Sequence, residues 1–448
     1  MVHLTARPYL FVDDTLIERH EGTSLRLHSP VRRDIALTTD AAWEGPTSAY
    51  FSVLDTQGEP GRTERYLLYY RGSSSGVDLK HDCTCVAESA DGIGWQRRLV
   101  WKHESGGSAA NNIVWNGERD ISHNMAPFRD ANPAAPPDAR FKAIGGVKRK
   151  GVFALASPDG IDWRLLSDQP VLTKGDFDSL NLAFWDAEKG CYVAYVRRSR
   201  EGVRSIDRSL SDDFVRWSDP EPLDFGEGPL EHLYTNAIQP YDRDSGLCLG
   251  FPKRFLPQRR RHPEHDDTGV SDCVLIASRD GISFPRRFRE AFIRPGLDQR
   301  NWTDRNIMMA PGMIRTLPTE YSLYWSEHYG HHDAHLVRGT IRLDGFASLH
   351  ADWPGGEAAS VPVRLDGTRL VLNLSTSAAG TVKVGFQDPA GSPVPSCTLE
   401  DCDELFGDDI VREVTWRGDA DIARLKGQTV RLCFKATDAD VYSVACQE

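Results

Sequence analysis

The sequence predicts an all-β protein: a five-bladed β-propeller over residues 1–349, then a β-sandwich over residues 350–448. Three observations predict it. A turn of consensus Ser-x-Asp-Gly-x-x-Trp recurs, beginning at Ser89, Ser157, Ser211 and Ser278, each time after an apolar run such as 152–156 or 273–277. Short segments rich in β-branched and aromatic residues fill the intervals, and long amphipathic helical patterns are absent. After Leu349 the turn is lost, while short strands continue at regular spacing.

The turn carries its own physics. Asp-Gly supplies a positive φ and a side-chain acceptor, so it closes a tight hairpin, and the aromatic residue then opens the outgoing strand. The third copy has Phe214 where the others have Gly, and the fourth has Phe284 for Trp. A repeat of this length holds one small antiparallel sheet, and radial stacking of such sheets makes a propeller.

Taken in order, residues 9–12 and 24–27 read as a strand pair that could complete the last blade. Blade one opens at Trp43-Glu44 and continues through 48–54, 66–70, 83–88 and 96–101. Blade two has 112–115 leading in, then 125–128, 141–145 and 152–156. Blade three has 179–185, 191–196 and 204–209, and blade four 234–241, 248–251 and 273–277. Blade five lacks the turn but has 307–314, 322–325, 335–341 and 346–349. Beyond it, strands at 360–365, 369–374, 380–387, 410–415 and 429–435, separated by Gly, Asp and Pro turns, suggest a sandwich. That module reads as a rigid appendage, with carbohydrate binding as the sharper alternative.

Composition narrows the function classes. A formal net charge of −12 disfavours nucleic acid and anionic membrane as partners. The basic run Arg259-Arg260-Arg261-His262 reads as a solvated tip. No apolar run approaches the ~20 residues that span a bilayer, and the first residues lack a signal-peptide core. Nine cysteines at irregular spacing read as thiols in a reducing compartment. The expectation is a soluble cytoplasmic protein, its oligomeric state open. Asp13-Asp14, Asp266-Asp267 and Asp408-Asp409 read as solvated turns. Four histidines between His328 and His335 allow metal capture by spacing, but a loop explains them equally, so the expectation is no metal and no cofactor.

Propeller chemistry sits where the innermost strands open into a central funnel. Every blade-opening segment carries an acid, a His or an Asn: Trp43-Glu44, Ser122-His123-Asn124, Asp176 to Asn181, Glu231 to Asn236, and Asn301 to Asn306 with Asp304 inside it. Second strands end in Arg71, Arg197-Arg198, Lys253-Arg254 and Glu327-His328. Cations beside carboxylates can keep one acid ionised while a more buried one holds its proton, the division that glycoside hydrolysis requires. Candidate substrate-binding residues are Trp43, Arg71, His123, Asn181, Arg197, His232, Arg254, Asp304, Glu327 and His328.

In blade count, blade-opening acids and trailing sandwich, the chain resembles the five-bladed propeller glycoside hydrolases of families 32 and 43. It departs from their motifs. The family 32 string Trp-x-Asn-Asp-Pro-Asn-Gly is absent, Phe11-Val12-Asp13-Asp14 standing in a comparable place. Arg-Asp-Pro is interrupted as Arg129-Asp130-Ala131-Asn132-Pro133, and Glu-Cys has no match. By blade position the resemblance implies Glu44 (or Asp14), Asp178 and Glu231 as the catalytic acids, with Glu231 the proton donor. It implies a glycoside hydrolase acting on an oligosaccharide or small glycoside. A propeller glycoside phosphorylase, a sialidase-like enzyme (the turn also resembles the sialidase Asp-box, with Asp and Gly here adjacent) and a non-catalytic sugar binder are the alternatives.

Overall fold

The computed structural model describes residues 1–59, 65–74, 81–244, 246–262 and 269–448. Asp266-Asp267 lie outside the described residues. Among the described residues helix is confined to four short 3-10 segments, and the rest of the regular structure is strand. Among the described residues no helix is long and apolar enough to cross a membrane.

The chain divides into two compact units: Pro30–Pro240 with Gly246–Thr340, and Met1–Ser29 with Tyr241–Ser245 and Ile341–Glu448. The first is a succession of antiparallel sheets. Ala49–Asp55, Tyr66–Gly72 and Cys83–Ser89 form one, with Gln96–Arg97 and Ile113–Asn116 both pairing with Cys83–Ser89. The segment expected to lead into blade two therefore belongs to the first sheet. Ala126–Arg129, Phe141–Val147, Gly151–Ser157 and Arg164–Leu165 make the next, and Leu182–Asp186, Cys191–Arg200, Val203–Ser211 and Glu221–Pro222 the third.

Between residues 232 and 278 the strands group into two three-stranded sheets. His232–Leu233 pairs with Lys253–Leu256 and that with Val270–Cys273; Gln239–Pro240 pairs with Cys248–Gly250 and that with Ile276–Ser278. The breaks coincide with Pro252, which has no N–H to donate to a ladder, and with Ala237, held at φ 42°. The fourth expected blade is thus divided between two ladders.

The last sheet contains Met308–Met309, Glu320–Glu327 and His335–Arg342, and its outer partner is Val31–Thr38. A strand that precedes the first sheet thereby latches the last, and the ring closes. The strand pair expected in that role is elsewhere: Tyr9–Leu10 pairs with Thr429–Gln447 and Thr23–Leu27 with Ala347–Ala351, both in the second unit. Alternation showed that those residues are strands; it carries no information about which edge they join.

Apolar layers separate successive sheets. Leu67, Tyr69 and Val86 of the first meet Phe141, Phe153 and Leu155 of the second. Ile144 and Ala154 meet Tyr192 and Phe214 in the next layer. Tyr324 and Leu336 of the last sheet meet Phe51 and Tyr70 of the first. The recurring turn is part of this packing. In each copy Ser donates to Asp, and the Asp carboxylate accepts two backbone N–H bonds, as with Ile93 (2.8 Å) and Gly94 (3.0 Å) on Asp91. The carbonyl left pointing outward accepts a tyrosine hydroxyl from a neighbouring sheet: Tyr69 on Gly160 (2.7 Å), Tyr195 on Gly281 (2.8 Å), and Tyr324 on Gly92. The third copy substitutes bulk for this bond, burying the Phe214 ring at a backbone φ of 67°.

The second unit is built on two 19-residue strands, Arg369–Gln387 and Thr429–Gln447, paired antiparallel, so the expected strands at 369–374 and 380–387 are one, with a register shift between Thr376 and Thr381. Its core includes Phe11, Leu372, Val384, Trp416, Leu432 and Phe434. Asp13 is buried rather than solvated and accepts from the Thr15 backbone at 2.9 Å.

Candidate functional site

The innermost strands of the first unit converge on a small apolar core that includes Ala49, Ala126, Leu182 and Met308. At one end of these strands Gly312, at φ 97°, sits so close that a Cβ would lie 1.9 Å from the Val53 carbonyl oxygen. At the other end a cavity of about 310 Å³ opens, lined by polar side chains from the first sheet and from the segments that lead into or out of later ones.

Its wall is Arg71, His123, Asp178 and Arg305 with the rings of Tyr50, Tyr234 and Tyr329. His123 Nδ1 lies 3.0 Å from Asp82 Oδ2, and Asp82 is wholly buried with its other oxygen unpartnered among the described residues. Arg71 Nη1, a donor, lies 3.2 Å from the same nitrogen; the shorter contact, to a carboxylate that can only accept, favours the proton on Nδ1 and the Nε2 lone pair in the cavity. Burial lowers the His123 pKa and outweighs the Asp82 bond, with Arg71 acting in the same direction, so the ring is neutral at pH 7. The Asp178 charge is among those acting on the same ring. The Asp178 carboxylate is 46 % exposed, and its closest cation is Arg197 at 3.7 Å.

Behind Asp178 the Tyr234 hydroxyl donates to the Asp178 carbonyl at 3.4 Å. The Lys253 ammonium lies 4.0 Å from the Tyr234 ring centroid and the Arg197 guanidinium 4.9 Å. Burial raises the Tyr234 pKa, but Lys253, Arg197 and Arg305 outweigh it and bring the phenol below its ordinary value. Lys253 is itself fully buried; burial lowers its pKa against the Asp304 carboxylate, 2.7 Å away.

The sequence candidates divide sharply. Asp178, Arg71 and His123 line the cavity. Arg197 and Asp304 stand just behind it, Arg197 also donating to the Asp176 carbonyl at 2.6 Å. Asn181 is fully buried and spends its amide on Phe177, Ser179 and the Arg197 N–H. Glu44 does not reach the cavity: Arg97 (2.7 Å), the Tyr70 hydroxyl (2.6 Å) and the Ala41 N–H (3.1 Å) take both its oxygens. Trp43 donates to Asn112 at 2.7 Å and packs on the layer beside it. Glu231 lies in a separate cleft, paired with Arg254 at 3.1 Å and with Arg286. Arg254 is clamped by Asp272 at 2.6 Å, and His232 lies against the Arg204 N–H at 3.3 Å and the Phe255 ring. The acids expected to act together are therefore not gathered; only Asp178 of the three lines the cavity.

Glu327, His328 and His335 each offer a ligand atom within 4.8 Å of the others, and all three are buried. Those atoms are largely spent on neighbours. Arg32 holds Glu327 at 3.1 Å, and the two His328 nitrogens lie 2.9 and 3.0 Å from Asp333 and Asp298. Burial raises the Glu327 pKa, but His335, Arg32 and Trp325 outweigh it and hold it at about 2. The donor set is a charge network that ties the end of Glu320–Glu327 to the loop at 298–301.

Sequence reasoning missed Tyr50, Asp82 and Tyr329. It passed over Arg305 inside a segment that it had marked as polar. Tyr50 and Arg305 hold φ values of 58° and 64°, which turn their side chains into the cavity, and neither is a Gly or Asn that would have announced that conformation.

No family model and no curated protein matches the chain. Solved structures do. One is an N-acetylgalactosamine deacetylase from F. plautii in complex with blood group B trisaccharide, 14 % identical over 73 % of this chain and 97 % of that one, TM-score 0.48. Another is from a mannoside phosphorylase family that contains glycoside hydrolases targeting β-1,2 mannosidic linkages in Candida mannan, 14 % identical over 70 % and 94 %, TM-score 0.44. A fructofuranosidase from Schwanniomyces occidentalis complexed with fructosylnystose is 10 % identical over 94 % and 96 %, TM-score 0.42. At these scores no residue role carries over to this chain.

Proposed function

We propose that the protein hydrolyses a glycosidic bond of an oligosaccharide or small glycoside in the propeller funnel, with Asp178 as proton donor and His123 as the base that activates water. The observation that carries this reading is that Asp178 and the Asp82-oriented His123 line one cavity. Cleavage of a glycoside needs one group to protonate the leaving oxygen and another to activate the nucleophile. A neutral imidazole with a fixed tautomer meets the second need. Asp178, half-exposed on the wall of the same cavity, is placed to meet the first. The three tyrosine rings supply faces on which a sugar can stack.

The test is turnover of a glycoside panel by Asp178→Asn. Expected is a loss of about 10²–10⁴-fold in kcat with unchanged melting, since removal of an exposed carboxylate costs the fold little. Wild-type turnover by this variant on a substrate that the protein demonstrably cleaves would falsify the assignment.

A further inference from the structure

The proton-transfer pair leaves most of the cavity's polar wall without a task. Arg71 is 3 % exposed, and no carboxylate among the described residues lies within ion-pair distance of it. Its Nη2 donates to the Thr47 carbonyl at 2.6 Å and reaches the Tyr329 hydroxyl at 3.4 Å, its Nη1 lies 3.2 Å from His123 Nδ1 and 3.5 Å from the His123 carbonyl, and Nε has no partner among the described residues. Arg305 donates to the same Tyr329 hydroxyl at 3.1 Å. The nearest acid to Arg305, Asp304 at 3.4 Å, is already bound to Lys253. Two guanidinium groups therefore converge on one phenol oxygen, whose own proton must point away from both.

Counted over the wall, the cavity holds two guanidinium charges against the single Asp178 carboxylate, in a chain whose net charge is −12. Asp82 acts on Arg71 only from behind His123, and Asp304 shares its charge between Arg305 and Lys253, so the two buried guanidinium groups are incompletely compensated, which is expensive. The Tyr50 ring, 4.9 Å from the Arg71 guanidinium, compensates only part of that cost. Forked N–H donors from Arg match a planar or tetrahedral oxyanion, and the Tyr329 O–H adds a third donor.

We infer that Arg71, Arg305 and Tyr329 form an oxyanion site inside the funnel, for the carboxylate of an acidic sugar or for a phosphate bound beside the glycoside. The inference rests on the funnel being the glycoside site. An anion held here lies in the same cavity as Asp178 and His123. As a sugar carboxylate it fixes the orientation of the scissile bond. As free phosphate it could itself be the nucleophile, the phosphate oxygen bonding to the anomeric carbon while the leaving oxygen takes the Asp178 proton; that step needs no base.

The test measures binding to the full chain by calorimetry and by melting, with sodium glucuronate, inorganic phosphate and, as neutral control, glucose. Expected is saturable binding of glucuronate or phosphate, weakened by salt. Arg305→Lys and Tyr329→Phe should weaken it roughly tenfold or more, and Arg71→Lys likewise where that variant folds. Binding of glucuronate, with turnover confined to acidic glycosides, identifies the anion as a substituent of the substrate. Binding of phosphate, with turnover that requires it, identifies a co-substrate. Absence of binding by both ions overturns the inference even where neutral glycosides are cleaved. Ion binding without turnover of any glycoside leaves the anion site standing and removes the hydrolase reading.

Discussion

The Asp82→Asn variant probes the proton-transfer pair at its least exposed point. Asp82 is wholly buried and accepts from His123 Nδ1 at 3.0 Å, so the carboxylate dictates which nitrogen carries the proton. An asparagine can turn its NH₂ towards Nδ1, which then becomes the acceptor, and the proton moves to Nε2. The cavity loses its lone pair while the ring stays in place. A general base contributes about 10²–10⁴ in rate, so kcat/KM should fall by that factor. Stability should change by only ~1–3 kcal/mol, the range for exchanging a charge-assisted bond for a neutral one. The pH profile provides an independent reading. Protonation of His123 removes the base, so activity falls as pH drops through its pKa, which lies below 6.5 because burial outweighs Asp82. Loss of the Asp82 charge removes what favours the imidazolium, so the residual activity should show this limb at still lower pH. Initial rates from pH 4 to 8 on a cleaved glycoside measure both effects. Unchanged kcat/KM together with an unshifted acid limb would refute the reasoning.

Four further outcomes follow from the same geometry. Glu231→Gln should retain wild-type turnover, because Glu231 pairs with Arg254 and Arg286 in a separate cleft; steady-state kinetics on the same panel decide it. Tyr69→Phe should lose about 1 kcal/mol in a denaturant titration, the worth of one buried hydroxyl bond to the Gly160 carbonyl. Phe214→Gly should relieve about 1 kcal/mol of backbone strain but lose ~3 kcal/mol or more of ring burial, so the net is destabilising; a gain in stability would contradict the packing argument. Asp213 and Asp280 sit at about 2, Asp213 first through the Arg216 N–H, Asp280 through the Ile282 and Ser283 N–H groups against burial. Folded pKa values depressed in this way give stability that is fully present above roughly pH 4 and lost as pH falls towards 2; melting temperature against pH reads it directly.

What the sequence made legible is what local chemistry repeats. The Ser-x-Asp-Gly turn could be read because its hydrogen bonds close within a few residues, Ser89 to Asp91 to Gly94, and they recur as expected at all four positions. The latch strand Val31–Thr38 could not be read in the same way. Its first five residues are exposed and three of them are charged, the pattern of a solvated loop as much as of an edge strand protected from further pairing. Blade-opening acids misled for a related reason. Glu44, Glu231 and Asp178 are equivalent in sequence position, yet Arg97 claims the first and Arg254 with Arg286 the second, partners tens of residues away that no local pattern reveals.

The same comparison explains why one acid at the cavity wall is left without a close cation. Arg97 and Arg254 each return from a later strand or hairpin to neutralise an acid at the opening of their own sheet. In the third sheet the corresponding cation, Arg197, donates instead to the Asp176 carbonyl and stacks on Tyr234. It stops 3.7 Å short of Asp178, outside hydrogen-bond reach. An acid left without a close partner at the rim, beside two guanidinium groups whose nearest acids, Asp82 and Asp304, are bound to His123 and Lys253, separates charge within one cavity. A substrate with a leaving oxygen to protonate and a negative group to bind satisfies both halves of that separation at once. A neutral glycoside satisfies only the first.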